Sequence, residues 1–135
     1  MNETPKIALV GCGYWGRNLC RNFHGLNALG CVIDATESGQ AQACLIAPVI
    51  KVSSHIEDAL NDPQIHAIAL ATPAETHAEL AIQAMKAGKD VFVEKPMALT
   101  LEDACRMKAV ADQTNSILMV GHLLEFHPAV LKLRE

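Results

Sequence analysis

The stretch Ile7–Gly16, IALVGCGYWG, constrains the fold of this chain more than any other. Lys6–Val10 is an apolar run without alternation, the pattern of a strand covered on both faces, as in parallel sheets. Gly11-x-Gly13-x-x-Gly16 follows at once, and Leu19 and Phe23 then stand four apart, which predicts a helix over residues 13–26. A strand, three glycines at this spacing and a helix together form the opening of a dinucleotide-binding βαβ unit. There Gly11 makes the tight turn, Gly13 lets a diphosphate approach the backbone, and Gly16 lets the helix pack on the strand. The helix N-terminus then offers free N–H groups and a partial positive charge to the anion.

The rest of the chain repeats the alternation. Strands are predicted at residues 31–35, after a turn at Gly30, and at 49–52, 66–71, 91–94 and 117–121. Helices are predicted at 74–87, ended by Gly88, and at 101–113, with Thr100 as N-cap and a helical turn at 56–60. Residues 37–48 stay undecided, because Gly39 and Pro48 weaken a helical reading. The fold class is α/β, a doubly wound parallel Rossmann sheet with right-handed crossovers. The tail HLLEFHPAVLKLRE begins a new segment that stops within a helical pattern.

Composition agrees and excludes alternatives. The 135 residues are one domain's worth, 50% hydrophobic but only 4% aromatic, so small aliphatic side chains fill the core. A net charge of −4 without a Lys/Arg cluster argues against a nucleic-acid partner. No apolar stretch reaches the roughly 20 residues of a membrane span, and the start MNETPKIALVG lacks a basic leader. A cytoplasmic location follows as an expectation. The five cysteines have neither metal-type nor disulfide-type spacing, so buried thiols in a reducing compartment are expected. Cys12 alone stands where a helix N-terminus could activate it.

Two acidic and basic positions carry the chemistry. Asp34, 18 residues after Gly16, ends the second strand where an acid binds the adenosine ribose hydroxyls. No Arg or Lys lies between Asp34 and Lys51 to take a 2′-phosphate, so NAD is favoured over NADP. Glu94, Lys95 and Pro96 end a strand at the carboxyl edge, where doubly wound sheets bind ligands. A lysine there can hydrogen-bond a substrate hydroxyl and help its proton leave, although a solvated loop lysine has the same sequence. Tyr14 and Trp15, in the variable positions of the glycine loop, either pack on the cofactor or bury the helix start, the plainer account.

The blocks GCGYWG, ATPAETHAELAIQAMKAGKDVFVEKPMALTLEDA and VGHLLEFHPAV resemble the Gfo/Idh/MocA family of sugar and inositol oxidoreductases. The resemblance runs from about Lys6 to Glu135. It implies that Thr72 and Pro73 lie beside the cofactor's diphosphate and ribose, with His77 in the first turn of the following helix. It implies that Lys95 of Glu94-Lys95-Pro96 reaches the nicotinamide and the hydroxyl being oxidised, and that Pro96 aims the turn. Glu94 either holds the nicotinamide side or orients Lys95, a structural ion pair being the plain alternative. Gly121 and His122 match the strand end that closes the nicotinamide pocket.

The tail is similar to that of the branch oxidising the 3-hydroxyl of UDP-N-acetyl-glucosaminuronic acid. The resemblance therefore implies a sugar or nucleotide-sugar substrate and a homo-oligomer at full length. The resemblance also implies a C-terminal substrate domain with a D-x-x-x-H motif, for which these 135 residues are expected to leave no room. Residues 1–121 are expected to form the NAD-binding domain and 122–135 the start of the connection. A nucleotide-binding module without chemistry of its own is the alternative. His24, His55, His66 and His127 show no ligand spacing and are expected at the surface or in structural roles.

Overall fold

The computed structural model describes residues 4–135, and the first three residues of the expected leaderless start lie outside the described part. The chain runs β1 (Lys6–Val10), α1 (Gly16–Gly25), β2 (Leu29–Ile33), α2 (Glu37–Ile46), β3 (Lys51–Ser53) and α3 (Glu57–Leu60). It continues with β4 (Ile65–Leu70), α4 (His77–Lys86), β5 (Asp90–Val93), α5 (Leu101–Thr114), β6 (Leu118–Val120) and α6 (Pro128–Leu133). Short 3-10 turns occupy Ala74–Thr76 and Leu123–Phe126. The six strands form one sheet in the order β3-β2-β1-β4-β5-β6. Every pairing in it is parallel. The strand order reverses between β1 and β4, which opens a crevice at their carboxyl ends.

Most predicted elements are present, and the differences have local causes. Helix α1 begins at Gly16 rather than Gly13, because residues 13–15 form a turn in which the Arg17 amide donates to the Gly13 carbonyl at 3.1 Å. Strand β2 begins two residues before the expected start. Asn27, at φ 55°, makes the turn assigned to Gly30. Gly30 instead lies inside the strand, where an added Cβ would stand 2.5 Å from Ile65 Cδ1. The undecided segment is helix α2, started by Thr36, whose extended backbone and hydroxyl cap the Gly39 amide. Thr100 caps α5 as predicted, accepting from the Asp103 amide at 3.1 Å. Gly88, at φ 77°, stops α4 in the left-handed conformation that suits glycine.

Helices cover both faces of the sheet. On one face Ala78, Ala81, Ile82 and Met85 of α4, with Met107 and Ala111 of α5, pack on Ile68, Leu70, Val91 and Val93. On the other face Leu19 and Cys20 of α1 and Ala43 of α2 pack on Leu9, Val32 and Ala69. Burial of Cys12, Cys20 and Cys31 matches expectation, but Cys44 and Cys105 sit on outward helix faces and are exposed.

The lower edge of the sheet carries a buried cation. Lys89, 7% exposed, donates to the carbonyls of Asp62 and Ile65 at 2.7 Å each, tying the loop before β4 to the loop before β5. Lys89→Met keeps the aliphatic stem but leaves both carbonyls without this donor. It is expected to lower unfolding stability by about 2–3 kcal/mol, read from urea unfolding midpoints.

Candidate functional site

The turn after β1 is shaped by what its glycines lack. Gly11 has φ 90°, and a Cβ there would lie 2.8 Å from the Ala71 carbonyl oxygen at the end of β4. A Cβ on Gly16 would lie 2.0 Å from the Gly11 carbonyl oxygen, so the helix can start this close to the strand only with glycine. Gly13 differs, since a Cβ there would meet nothing within 4 Å. Its bare backbone faces open space. None of the hydrogen bonds among the described residues uses the amides of Gly13, Tyr14, Trp15 or Gly16. With the N-terminus of the ten-residue α1 behind them, these donors suit an anion.

Asp34 follows the end of β2 and is 9% exposed. Its Oδ2 accepts from the Cys12 amide at 2.7 Å, and its Oδ1 accepts from the Thr36 amide at 2.8 Å and the Thr36 hydroxyl at 2.7 Å. The carboxylate thus braces the glycine turn against the start of α2, in addition to facing the crevice. Burial alone would raise its pKa, but the three donors outweigh that and hold it below the ordinary 3.8. Gly39, which weakened the helical reading, is explained here. A Cβ on it would stand 2.1 Å from the Asp34 carboxylate. Burial pushes the neighbouring Cys12 thiol up to about 12, so it is a core group rather than an activated nucleophile.

A folded pKa below the unfolded one contributes stability above the ordinary carboxyl range, lost as pH falls through the lower folded value. Asp34→Asn presents an N–H group to donors at one end of this brace. It is expected to lower stability by about 1–3 kcal/mol near neutral pH. Unfolding midpoints measured against pH should show the difference from wild type shrinking as the medium becomes strongly acidic.

The ends of β4, β5 and β6 supply the second half. Thr72 and Pro73 follow β4, with the Thr76 hydroxyl 2.7 Å from Thr72 Oγ1. Glu94 and Lys95 follow β5, and the Lys95–Pro96 bond is cis. The Lys95 side chain is exposed and enters none of the ion pairs among the described residues. Glu94 is 7% exposed, and its Oε1 is buried without a hydrogen-bond partner among the described residues. Gly121 makes room for it, since a Cβ there would lie 3.1 Å from both Glu94 oxygens. His77 is buried at the start of α4, and both of its ring nitrogens are engaged by backbone carbonyls. His122 is exposed at the end of β6.

Two clefts open along this edge and meet at Ala71 and Thr72. One, about 530 Å³, is bounded by Gly11, Gly13, Asp34, Thr36, Pro73 and His55 among others. The other, about 570 Å³, is bounded by Trp15, His77, Glu94, Lys95, Gly121 and His122 among others. The predicted residues are therefore gathered onto one edge, with Tyr14 the exception. Tyr14 is 83% exposed and lies under the Arg17 guanidinium, 4.9 Å from the ring centroid. Trp15 is 42% exposed and faces the second cleft. At 83% exposure the Tyr14 ring does not bury the helix start. His55 was expected at the surface or in a structural role; it is exposed, and it also borders the first cleft. Its place just after the third strand of a parallel series was the available signal.

A family model described as "Oxidoreductase family, NAD-binding Rossmann fold" matches residues 5–122. The chain is 32% identical over 133 residues to scyllo-inositol 2-dehydrogenase (NAD(+)) of Bacillus subtilis, covering 96% of this chain and 39% of that protein. It is 29% identical over 130 residues to UDP-N-acetylglucosamine 3-dehydrogenase of Acidithiobacillus ferrooxidans, covering 96% of this chain and 41% of that one. Among solved structures, GenD2 from gentamicin A biosynthesis, in complex with NAD, superposes with a TM-score of 0.82 at 29% identity. That match covers 90% of this chain and 35% of GenD2. The chain thus spans about two-fifths of the length of these curated relatives.

Proposed function

The chain belongs to the Gfo/Idh/MocA oxidoreductase family with its NAD-binding Rossmann fold, and from that premise we propose that it is the cofactor-binding part of an NAD-dependent sugar or nucleotide-sugar dehydrogenase. The observation that carries this reading is the pair of clefts meeting over the β1/β4 crevice, with the glycine turn between them. A dinucleotide has two nucleoside halves joined by a diphosphate, and this edge has a matching two-part shape.

The residues present fit that ligand. Open space at Gly13 and the unused amides of residues 13–16 suit the diphosphate. Asp34 and His55 border the adenosine side, and the unpartnered, buried Glu94 Oε1 calls for a hydrogen-bond donor on the nicotinamide side. Bound there, NAD supplies the hydride acceptor for oxidation of a carbinol carbon. Lys95 stands in the same cleft outside every ion pair among the described residues, and its neutral amine form would accept the substrate hydroxyl's proton as the hydride leaves the carbinol carbon. Trp15, His122 and Leu123 wall the space and limit water beside the reacting carbon.

For the substrate, the tail GHLLEFHPAV supports a UDP-sugar oxidised at its 3-hydroxyl, in line with the UDP-N-acetylglucosamine 3-dehydrogenase among the relatives. Residues 1–121 would form the cofactor domain and 122–135 lead towards a substrate domain, the full-length protein assembling as a homo-oligomer. Calorimetric titration with NADH tests the first half of this reading. Saturable one-to-one binding, tighter than for NADPH, is expected; a folded sample without saturable binding overturns it.

A further inference from the structure

A carboxylate has about four acceptor positions. Asp34 commits three of them, to the amides of Cys12 and Thr36 and to the Thr36 hydroxyl. About one position is left, enough for one hydroxyl of a ribose rather than for both. The adenosine half of a dinucleotide therefore needs a further contact in the first cleft.

The other walls of that cleft suit a flat, uncharged group. Strands β2 and β1 separate β3 from β4 in the sheet. His55 and Ile56, which follow β3, thus border the cleft from one side, and Pro73 and Leu80, which follow β4, from the other. Ile56 and Leu80 are half-buried and pack on the core beneath α4. The titratable groups bordering the cleft among the described residues are Asp34, His55 and Glu57, and none is a Lys or Arg. A phosphate away from the glycine turn would meet two carboxylates there, whereas a purine would meet apolar walls.

His55 is the one aromatic ring among the residues bordering this cleft, and its side chain is exposed. Its backbone is tied down. The Ser53 hydroxyl accepts from the His55 amide at 3.1 Å and donates to the Asp58 carboxylate. The Ser53 carbonyl accepts from the Asp34 amide at 3.0 Å, which fixes the turn carrying His55 against the residue that meets the ribose. We propose that His55 is the adenine-binding residue, its imidazole stacking on one face of the base with Pro73 and Leu80 towards the other. This assignment rests on the dinucleotide function proposed above.

Calorimetric titration of the whole chain with NADH and with ADP-ribose tests it. ADP-ribose carries the adenosine and the diphosphate without nicotinamide. His55→Ala should bind both about tenfold more weakly, the loss of one stacked ring. His55→Phe keeps a ring and should stay within about threefold of wild type. His55→Gln keeps a polar group without the ring and should behave like His55→Ala. The side chain is exposed, so all three variants should unfold at the wild-type urea midpoint. In the wild-type complex, proton cross-relaxation should connect the His55 ring to adenine H2 or H8, a signal that a purely structural role would not give. Unchanged affinity in His55→Ala, a loss for NADH without one for ADP-ribose, or rescue by Gln instead of Phe would each overturn the stacking assignment while leaving the dinucleotide reading in place. A folded wild-type chain that bound neither ligand would overturn that reading, and the assignment with it.

Discussion

Gly16→Ala is expected to lower stability by about 2–3 kcal/mol and NADH affinity with it, whereas Gly13→Ala should fold like wild type and lose affinity alone. The difference comes from what each added methyl meets. At Gly16 it would stand 2.0 Å from the Gly11 carbonyl oxygen, so α1 must back away from β1. Backbone cannot yield as a flexible side-chain tip would, and the core formed by Leu19 and Cys20 against the sheet moves with the helix. At Gly13 the methyl meets nothing, and the position has no left-handed backbone to strain. Its only cost falls on a ligand that must touch the backbone there. Losing one or two bonds to a diphosphate weakens binding by about ten- to a hundredfold. Urea unfolding and NADH calorimetry on both variants separate the effects; equal stability for the two would contradict the contact at Gly16.

The second large effect concerns turnover. In the protein expressed from its complete reading frame, Lys95→Met should lower kcat for oxidation of a sugar hydroxyl by about 10²–10⁴-fold. NADH affinity should fall by less than about tenfold, because the diphosphate and adenosine contacts proposed above lie in other residues. The variant keeps the aliphatic stem and removes the amino group that lines the cleft. Lys95→Arg should not restore the rate, since a guanidinium keeps its proton and cannot pass it on. Steady-state kinetics with NAD and UDP-sugars decide this. An unchanged kcat would reduce Lys95 to a solvated loop residue, the plain reading of its sequence.

Much of this was legible in the chain because it depends on local chemistry. Three glycines at fixed spacing between a strand and a helix have one common use, and the alternating apolar runs imply a parallel sheet. Thr100 and Gly88 mark helix ends through their own backbone preferences, and the structure places both as expected. The misses share another cause. Gly39 looked like a helix breaker, yet it is glycine because the Asp34 carboxylate, held in place by the Cys12 amide of another strand end, fills the space its Cβ would occupy. Gly30 looked like a turn, yet it lies inside β2, where the Ile65 side chain of β4 and the Lys6 Cβ of β1 crowd the space of a Cβ. Tyr14, 83% exposed with the Arg17 guanidinium over its ring, does not bury the helix start, the plainer of its two readings.

By itself, then, the sequence determined the fold class, the glycine turn and the candidate edge, because these follow from periodicity and from glycine's freedom within a few residues. The tertiary structure decided which groups meet. It set Asp34 on the Cys12 amide, His77 between two carbonyls, Lys89 between two loops and Glu94 beneath Gly121. Those contacts join residues from separate strand ends, and their distances follow from how the parallel strands align, which no local pattern encodes.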